Sequence, residues 1–229
     1  MPANPIYKFK AELLDTELSI WREFEVTNNM PMSRLGYVLM SIFNMEGSHL
    51  FAFEVPYKED EKPDVDLSTI ENQFERNAME RACEIYRVEI PNPYDDFISP
   101  VKVLNATKTK LSKVLKEVNE IMIFNYDFGD DWNIKLTLQK IYTDSTIHGR
   151  EFPRVLDGAG FGIIDDCGGV GGLENLSIAF QNKSGEDYEQ YSEWLGRKEF
   201  DITQFDLKHL NYIVKHATAI YKDSYEEQY

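Results

Sequence analysis

The sequence predicts an α+β fold in which a largely antiparallel sheet carries packed helices, with a helix-rich C-terminal part. Alternating apolar and polar residues occur early and in the middle of the chain, whereas apolar residues at helical spacing dominate its end. Strands and helices do not alternate regularly, which argues against a doubly wound parallel sheet. Because the 229 residues contain no internal repeat and no clear linker, residues 1–229 are expected to form a single domain.

The N-terminal part is predicted to hold three strands and one helix. The first two strands are expected to pair as a hairpin, since only a short link separates them. Asn28 and Asn29 are suited to cap the helix, and Pro31 is suited to its first turn. The predicted elements are strands at 6–14 and 19–26, a helix from Met32 to about Gly47, and a phenylalanine-rich strand at 49–55.

Charged and proline-rich segments interrupt the middle of the chain. Residues 57–66 are expected to form an exposed loop, and Pro91, Pro93 and Pro100 break the pattern that follows. The predicted elements are a helix at 67–81, a strand at 82–90, a helix at 111–118, a strand at 121–124 and a strand through Ile134, Leu136 and Leu138. The last two strands flank residues 127–131, which are therefore predicted to form a hairpin turn.

The C-terminal part is predicted to be helical. Periodic apolar residues predict helices at 173–181 and 188–195. Asp206 is expected to cap a final helix, whose buried stripe consists of Leu210, Ile213, Val214 and Ala217.

The charge balance restricts the kind of partner. Twenty-four basic and 40 acidic residues give a net charge of −16, which repels phosphate backbones and anionic lipid surfaces. Direct nucleic-acid binding is therefore disfavoured, whereas a protein partner, or a surface that mimics nucleic acid, is compatible with this charge. The two cysteines form no C-x-x-C pair, and the chain shows neither a secretory signal nor a membrane-spanning run. We expect a soluble, cytoplasmic protein without membrane association.

Acidic and glycine residues cluster in two motifs, which are the candidate functional site. The first motif, residues 126–132, contributes Tyr126, Asp127, Asp130, Asp131 and Trp132. The second motif, residues 165–172, contributes Asp165, Asp166, Cys167, Gly168 and Gly169. Aspartate and glycine are also ordinary turn residues, so a structural turn and a binding site are both open for the first motif. Three carboxylates in seven residues repel one another unless a positive or hydrogen-bonding group lies between them.

The second motif favours a cation over a phosphate. Its glycines allow the backbone to approach a ligand closely, and it is expected to lead into a helix at Leu173. It contains no Lys, Ser or Thr to hold a phosphate, and its two aspartates would repel one. The candidate cofactor is a divalent cation, with Asp127, Asp130, Asp166 and His49 as candidate ligands. Cys167 beside two acids is expected to be a poor thiolate, which argues against a nucleophilic role.

The order of these segments resembles the plasmid pRiA4b open-reading-frame-three-like family, also labelled insertion-element passenger proteins of the TnpR-like kind. The matching elements are residues 19–22, His49-Leu50 before Phe51-Ala52-Phe53, the first motif, Phe152-Pro153, residues 166–169, and Phe205-Asp206-Leu207 with Asn211. The resemblance spans nearly the whole chain and implies an association with plasmids and other mobile elements. It implies no settled biochemical activity, so the catalytic residues stay unknown.

Two departures from the family pattern bear on chemistry. Family members usually have a histidine where this chain has Ile134, and a Pro-Pro-Glu-Asp run where it reads Ile163-Ile164-Asp165-Asp166. If that histidine is a ligand or a base in the family, this chain has lost the function or rebuilt it with other residues. His49 is the histidine that the matched segments offer instead.

Three functions remain open from the sequence. The first is a non-enzymatic module that binds a ligand or partner in a cleft where the two motifs converge. The second is a metal-dependent hydrolase or nuclease in which His49 assists the clustered aspartates. The third is an acidic regulator that mimics nucleic acid. The first is favoured, because neither the family's histidine nor a recognisable nucleophile is present.

Overall fold

The computed structural model describes residues 4–91 and 100–226. The strands are Ile6–Leu13 (β1), Trp21–Thr27 (β2), Phe51–Pro56 (β3), Ile85–Glu89 (β4), Val103–Asn105 (β5), Ile121–Tyr126 (β6), Trp132–Tyr142 (β7) and Arg154–Ala159 (β8). The α-helices are Met32–Ile42 (α1), Gln73–Glu84 (α2), Leu111–Val114 (α3), Gly169–Asn182 (α4), Glu186–Trp194 (α5), Leu207–Ile213 (α6) and Ala217–Glu226 (α7). Short 3-10 turns lie at Glu59–Glu61, Leu67–Thr69, Gly149–Glu151 and Val214–His216.

The described strands form one eight-stranded sheet in the order β5-β4-β3-β6-β7-β1-β2-β8. Every neighbouring pair is antiparallel except β4 and β5. The predicted α+β class with a largely antiparallel sheet is therefore confirmed. The predicted hairpins are also confirmed, since β1 pairs with β2 and β6 pairs with β7.

Helix α1 lies in the centre of the apolar core. Ten of its 11 residues are buried, because the sheet contributes large side chains to the same core and α6 and α7 pack against α1. Phe9, Phe24, Phe53 and Phe124 of the sheet are all fully buried in this core. Within the described part of the chain, no helix is long and apolar enough to cross a membrane.

The predicted start of α1 at Met32 is confirmed, whereas its asparagine cap and its end near Gly47 were wrong. Pro31 occupies the N-cap position, and no side chain caps the helix. The first two N–H groups instead donate to carbonyls of the 106–109 segment, Met32 to Thr109 and Ser33 to Ala106. A tertiary contact therefore replaces the expected asparagine cap. The helix ends at Ile42, and the following residues form a loop that carries His49.

Other boundaries also differ from the sequence pattern. Helix α2 begins six residues later than expected, where the Asn72 side chain accepts bonds from two N–H groups, and the predicted helix at 111–118 is a single turn. The short strands β5 and β8 were not predicted, and the C-terminal helix divides into α6 and α7. The cap by Asp206 is confirmed, since its carboxylate accepts from the N–H of His209. Pro93 lies outside the described residues.

A buried arginine joins the segments that lead to the second motif. Arg22 of β2 is fully buried, and its guanidinium makes five hydrogen bonds to main-chain carbonyls. The accepting residues are Trp21, Ile42, Ala159, Gly160 and Phe161. The rings of Phe43 and Phe205 lie 5.1 and 5.2 Å from the guanidinium carbon. Burial lowers the pKa of Arg22 to about 10, so the side chain stays charged at neutral pH.

We expect Arg22→Lys to destabilise the protein by roughly 3 kcal/mol, because an ammonium offers three donors in place of a planar fork and leaves buried carbonyls unpaired. Urea unfolding measures this loss of free energy. Arg150→Lys, at an exposed arginine, is the control and should change stability by less than about 0.5 kcal/mol. A loss below about 1 kcal/mol for Arg22→Lys would show that the network is not essential.

Candidate functional site

The first motif forms the tight turn between β6 and β7. Asp127 and Asp131 both have positive φ, at 54° each, a conformation that aspartate tolerates better than most residues. The N–H of Asp131 donates to the Asp127 carbonyl at 2.7 Å, and the Asp127 carboxylate accepts from the N–H of Gly129 at 3.0 Å. Part of the motif is thus turn chemistry, and the predicted position of the turn is confirmed.

Strand pairing brings His49 next to Asp127. In the antiparallel pair of β3 and β6, Phe51 lies opposite Tyr126, so the residues before β3 lie beside those after β6. The N–H of Asp127 continues this pairing by donating to the Leu50 carbonyl at 3.0 Å. As a result, Nδ1 of His49 lies 3.4 Å from Oδ2 of Asp127, and the imidazole packs edge-on against the Tyr126 ring.

The second motif forms the first turn of α4 as well as the loop before it. The helix begins at Gly169 rather than at Leu173, so the expected start was wrong. Gly169 has a φ of +66°, and a Cβ there would lie 2.7 Å from the Asp130 carbonyl of the first motif. A Cβ at Gly172 would lie 1.7 Å from the Cys167 carbonyl. Gly169 therefore allows the two motifs to pack backbone against backbone, and Gly172 allows the second motif to fold closely on itself.

Asp165 anchors the second motif beneath the site. Its Oδ2 accepts from the N–H of Glu46 at 2.7 Å and from the hydroxyl of Tyr126 at 3.0 Å. Burial is the main cause that raises the pKa of the Asp165 carboxyl. Burial, and then the neighbouring Asp165 charge, raises the pKa of the Tyr126 hydroxyl, which stays protonated. These two residues hold the site together rather than facing solvent.

His49, Asp127 and Asp166 converge on one point. Nε2 of His49 lies 3.5 Å from Oδ1 of Asp166, and one ligand atom from each of the three residues lies within 4.8 Å of the others. The Asp166 side chain is 71% exposed, so the point is open to solvent. Nε2 of His49 is buried and has no hydrogen-bond partner among the described residues. We call His49, Asp127 and Asp166 the triad.

The remaining candidate residues lie around the triad and not in it. Trp132 is fully buried beneath the turn, and the Asp131 carboxylate accepts from the Asn125 side-chain amide at 2.6 Å. Asp130, a candidate metal ligand from the sequence, is not part of the triad, and its Oδ2 is buried without a hydrogen-bond partner among the described residues. Gly168 opens the turn with a φ of +89° and takes the N-cap position of α4.

Cys167 is not suited to act as a nucleophile. Burial, followed by the charge of Asp130, raises the pKa of its thiol to about 12, so the thiolate is scarce at neutral pH. The Cys167 Sγ lies 3.5 Å from the Gly169 carbonyl, to which the thiol donates. The raised pKa agrees with the expectation of a poor thiolate, although burial, and not the adjacent Asp165 and Asp166, is its main cause.

Ile134 lies in the core and is not part of the triad. Its side chain is fully buried, on the same strand face as Trp132 and opposite Phe124. A histidine at this position, which the resemblance to the family implies, would therefore enter the packed interior and not the triad.

Apart from His49, the sequence does not predict that the loop before β3 contributes to the site. Residues 45–49 supply two N–H groups to the site, from Glu46 to Asp165 and from Gly47 to the Tyr126 hydroxyl. The sequence signal for this loop is limited to Gly47, which has a φ of +79° and which the sequence pattern predicts to end α1.

The fold and the site together define an α+β protein with an acidic, histidine-containing surface site. Residues 5–209 match the family model described as plasmid pRiA4b ORF-3-like protein, so the chain belongs to this family. A solved structure, a protein of unknown function, MM3350, from Methanosarcina mazei Go1, is similar with a TM-score of 0.67 and 22% sequence identity. The match covers 90% of this chain and 97% of that chain, and at this identity it shows the shared fold alone. The comparison with curated proteins found no significant match.

The close approach of the two motifs can be tested with two glycines of the same helix. We expect Gly169→Ala to destabilise the protein by at least about 2 kcal/mol, because alanine at positive φ is strained and its Cβ meets the Asp130 carbonyl. Gly171→Ala has open space around its Cβ and should stabilise the helix by about 0.5–1 kcal/mol. Urea unfolding of both variants measures the difference, and equal effects would contradict the proposed backbone contact.

Proposed function

We propose that this protein is a metal-binding module that holds a divalent transition-metal ion with His49, Asp127 and Asp166. The observation that carries the proposal is the convergence of the triad, in which one ligand atom of each residue lies within 4.8 Å of the others. An ion that binds its ligands at about 2.1 Å requires ligand atoms roughly 3–3.5 Å apart. Rotation of the exposed Asp166 side chain would bring the three ligand atoms, which lie within 4.8 Å of one another, to this spacing.

The chemistry of the ligands favours one class of ion. A single imidazole with two carboxylates suits Zn²⁺, Mn²⁺ or Co²⁺ better than Mg²⁺ or Ca²⁺, which prefer oxygen ligands alone. One nitrogen of His49 would bind the ion together with one oxygen from each aspartate. The Nε2 that lacks a hydrogen-bond partner supports this role, because a buried polar atom without a partner is costly.

The surroundings of the triad also support a binding site. Asp127 and Asp166 both adopt positive φ, at 54° and 61°, so the backbone is held in a sparsely populated conformation where the two carboxylates meet. Such strain persists only where the surrounding structure determines it, and it is common at ligand sites. The contacts of Asp165 with Tyr126 and Glu46 fix the segment that carries Asp166.

The proposal predicts stoichiometric binding of Zn²⁺ or Co²⁺ that depends on the triad. We expect Asp127→Asn, Asp166→Asn and His49→Ala each to weaken binding on the order of 100-fold, because each removes one ligand. Asparagine keeps the shape of aspartate and also tolerates positive φ, so the two amide variants should fold. Isothermal titration calorimetry and the metal-induced rise in melting temperature measure the effect.

Two matched control variants test whether binding depends on the triad or only on the acidic character of the protein. Asp130→Asn alters an aspartate of the same motif outside the triad, and His209→Gln alters an exposed histidine of α6. Both variants should bind the ion within about threefold of the unaltered chain. If neither Zn²⁺ nor Co²⁺ raises the melting temperature of the unaltered chain, or if Asp130→Asn weakens binding as much as Asp127→Asn does, the proposal is wrong.

A metal-dependent hydrolase is the second candidate function. The number of ligands favours it. Catalytic zinc sites have three protein ligands and leave a fourth position for water, and three candidate ligands lie together among the described residues. The raised pKa of Cys167 leaves metal-activated water as the better nucleophile. A surface that mimics nucleic acid stays a prediction, and no contact described above favours it.

The hydrolase candidate predicts slow, metal-dependent cleavage of an activated phosphodiester. We expect the Zn²⁺- or Mn²⁺-loaded protein to hydrolyse bis(p-nitrophenyl) phosphate, and Asp166→Asn to reduce the rate at least about tenfold through loss of the ion. Release of p-nitrophenolate measures the rate, with Asp130→Asn as the control that should retain it. Binding of the ion without any turnover would leave the metal-binding module as the function.

We also infer a cytoplasmic location from the cysteines. Cys83 and Cys167 are both free, which agrees with a reducing compartment. Surface biotinylation of intact cells followed by fractionation would test this location, and recovery of the protein outside the cytoplasm would contradict it.

A further inference from the structure

The loop that carries His49 is held from two sides. On the side of the site, the N–H of Glu46 donates to Asp165 at 2.7 Å and the N–H of Gly47 donates to the Tyr126 hydroxyl at 3.1 Å. On the opposite side, helix α7 provides two tyrosine hydroxyls. These bonds fix the main chain on both sides of the loop.

The two tyrosines of α7 donate to the two ends of the loop. The hydroxyl of Tyr221 donates to the Met45 carbonyl at 2.8 Å, and the hydroxyl of Tyr225 donates to the carbonyl of His49 itself. Both tyrosines are buried, at 7% and 6% exposure. The loop packs so closely on α7 that a Cβ at Gly47 would lie 2.5 Å from the Tyr221 ring. The contact therefore fits the shape of the loop as well as its hydrogen bonds.

Helix α7 is itself fixed on the core next to the loop. The ring of Tyr225 packs against Phe51, the first residue of β3, with ring centres 5.3 Å apart. Glu226 at the end of the helix forms an ion pair with Arg34 of α1 and accepts from the hydroxyl of Tyr37 at 3.1 Å. The family match ends at residue 209, so α7 lies beyond the matched residues.

We infer that Tyr225 and Tyr221 are positioning residues of the triad and that docking of α7 is coupled to metal binding. The inference rests on the proposed metal site. Each tyrosine acts through the main chain of the loop, and Tyr225 acts directly on the residue that supplies the imidazole. A ligand that moves relative to Asp127 and Asp166 binds the ion less well, since metal affinity depends on the groups that orient the ligands. Coupling is reciprocal, so the bound ion stabilises the docked helix.

The coupling can be tested by removing single hydroxyls. We expect Tyr225→Phe to weaken Co²⁺ binding about tenfold and to change the position or intensity of the visible absorption bands of the bound cobalt, because His49 is less well placed. Tyr221→Phe should have a smaller effect in the same direction, since it holds the far end of the loop. In the unaltered chain, Co²⁺ should slow proteolytic cleavage within α7, and this protection should fall in Tyr225→Phe.

Tyr7→Phe is the matched control. The Tyr7 hydroxyl is buried and donates to the Leu115 carbonyl at 3.0 Å, so its loss removes the same type of bond at a place without contact to the loop. This variant should lose stability but keep the cobalt affinity and the cobalt spectrum of the unaltered chain. The spectrum separates positioning from stability, because destabilisation alone does not alter the geometry of a bound ion.

The outcomes distinguish the two levels of inference. If the unaltered chain binds no Co²⁺, both the metal site and the coupling are wrong. If it binds Co²⁺ and both Tyr225→Phe and Tyr221→Phe bind with unchanged affinity and spectrum, the metal site stands and the coupling is wrong. If Tyr7→Phe changes the affinity and spectrum as much as Tyr225→Phe does, the effect is not positional and the coupling is also wrong.

Discussion

The saturation of the Arg22 guanidinium by main-chain carbonyls is the interaction on which the arrangement of the site depends. A charged group in the interior is tolerated only when its donors are satisfied, and here five carbonyls accept from it. They come from the end of α1, from β2, from the last residue of β8 and from the two residues that follow it. One side chain thus joins the segment that precedes the His49 loop to the segment that precedes Asp166. Two of the three triad residues, His49 and Asp166, follow the two segments that Arg22 connects, and Asp127 comes from the turn after β6.

A second constraint is the close backbone contact between the two motifs. Gly169 lies against the Asp130 carbonyl, a distance that no residue with a side chain would permit without displacement. The tight turn of the first motif also depends on two aspartates, Asp127 and Asp131, that adopt positive φ. Acidic and glycine residues therefore have two roles in this protein. Some shape the backbone so that the motifs can meet, and Asp127 and Asp166 in addition present their carboxylates to His49.

The sequence predicted the candidate ligands better than their arrangement. Three of the four candidate metal ligands, Asp127, Asp166 and His49, lie together, whereas Asp130 does not. Sequence proximity could not separate Asp130 from Asp127, because the direction of a side chain in a tight turn depends on the φ values of the turn and on the packing beneath it. The role of Tyr225 was equally hidden, since a tyrosine on a helix usually signals only core packing, and its partner is a carbonyl 176 positions away.

What the sequence determined by itself is the local pattern: the hairpins, most of the buried stripe of the C-terminal helix, the Asp206 cap and the aspartate-rich turn of the first motif. These features depend on neighbours in the chain, which periodicity and turn chemistry report directly. Tertiary structure alone decided the cap of α1, the edge strand β8, the start of α4 at Gly169 and the meeting of His49 with both motifs. Each of these depends on groups far apart in the chain, such as Thr109 for α1 and Asp130 for Gly169, and no local signal encodes their distance.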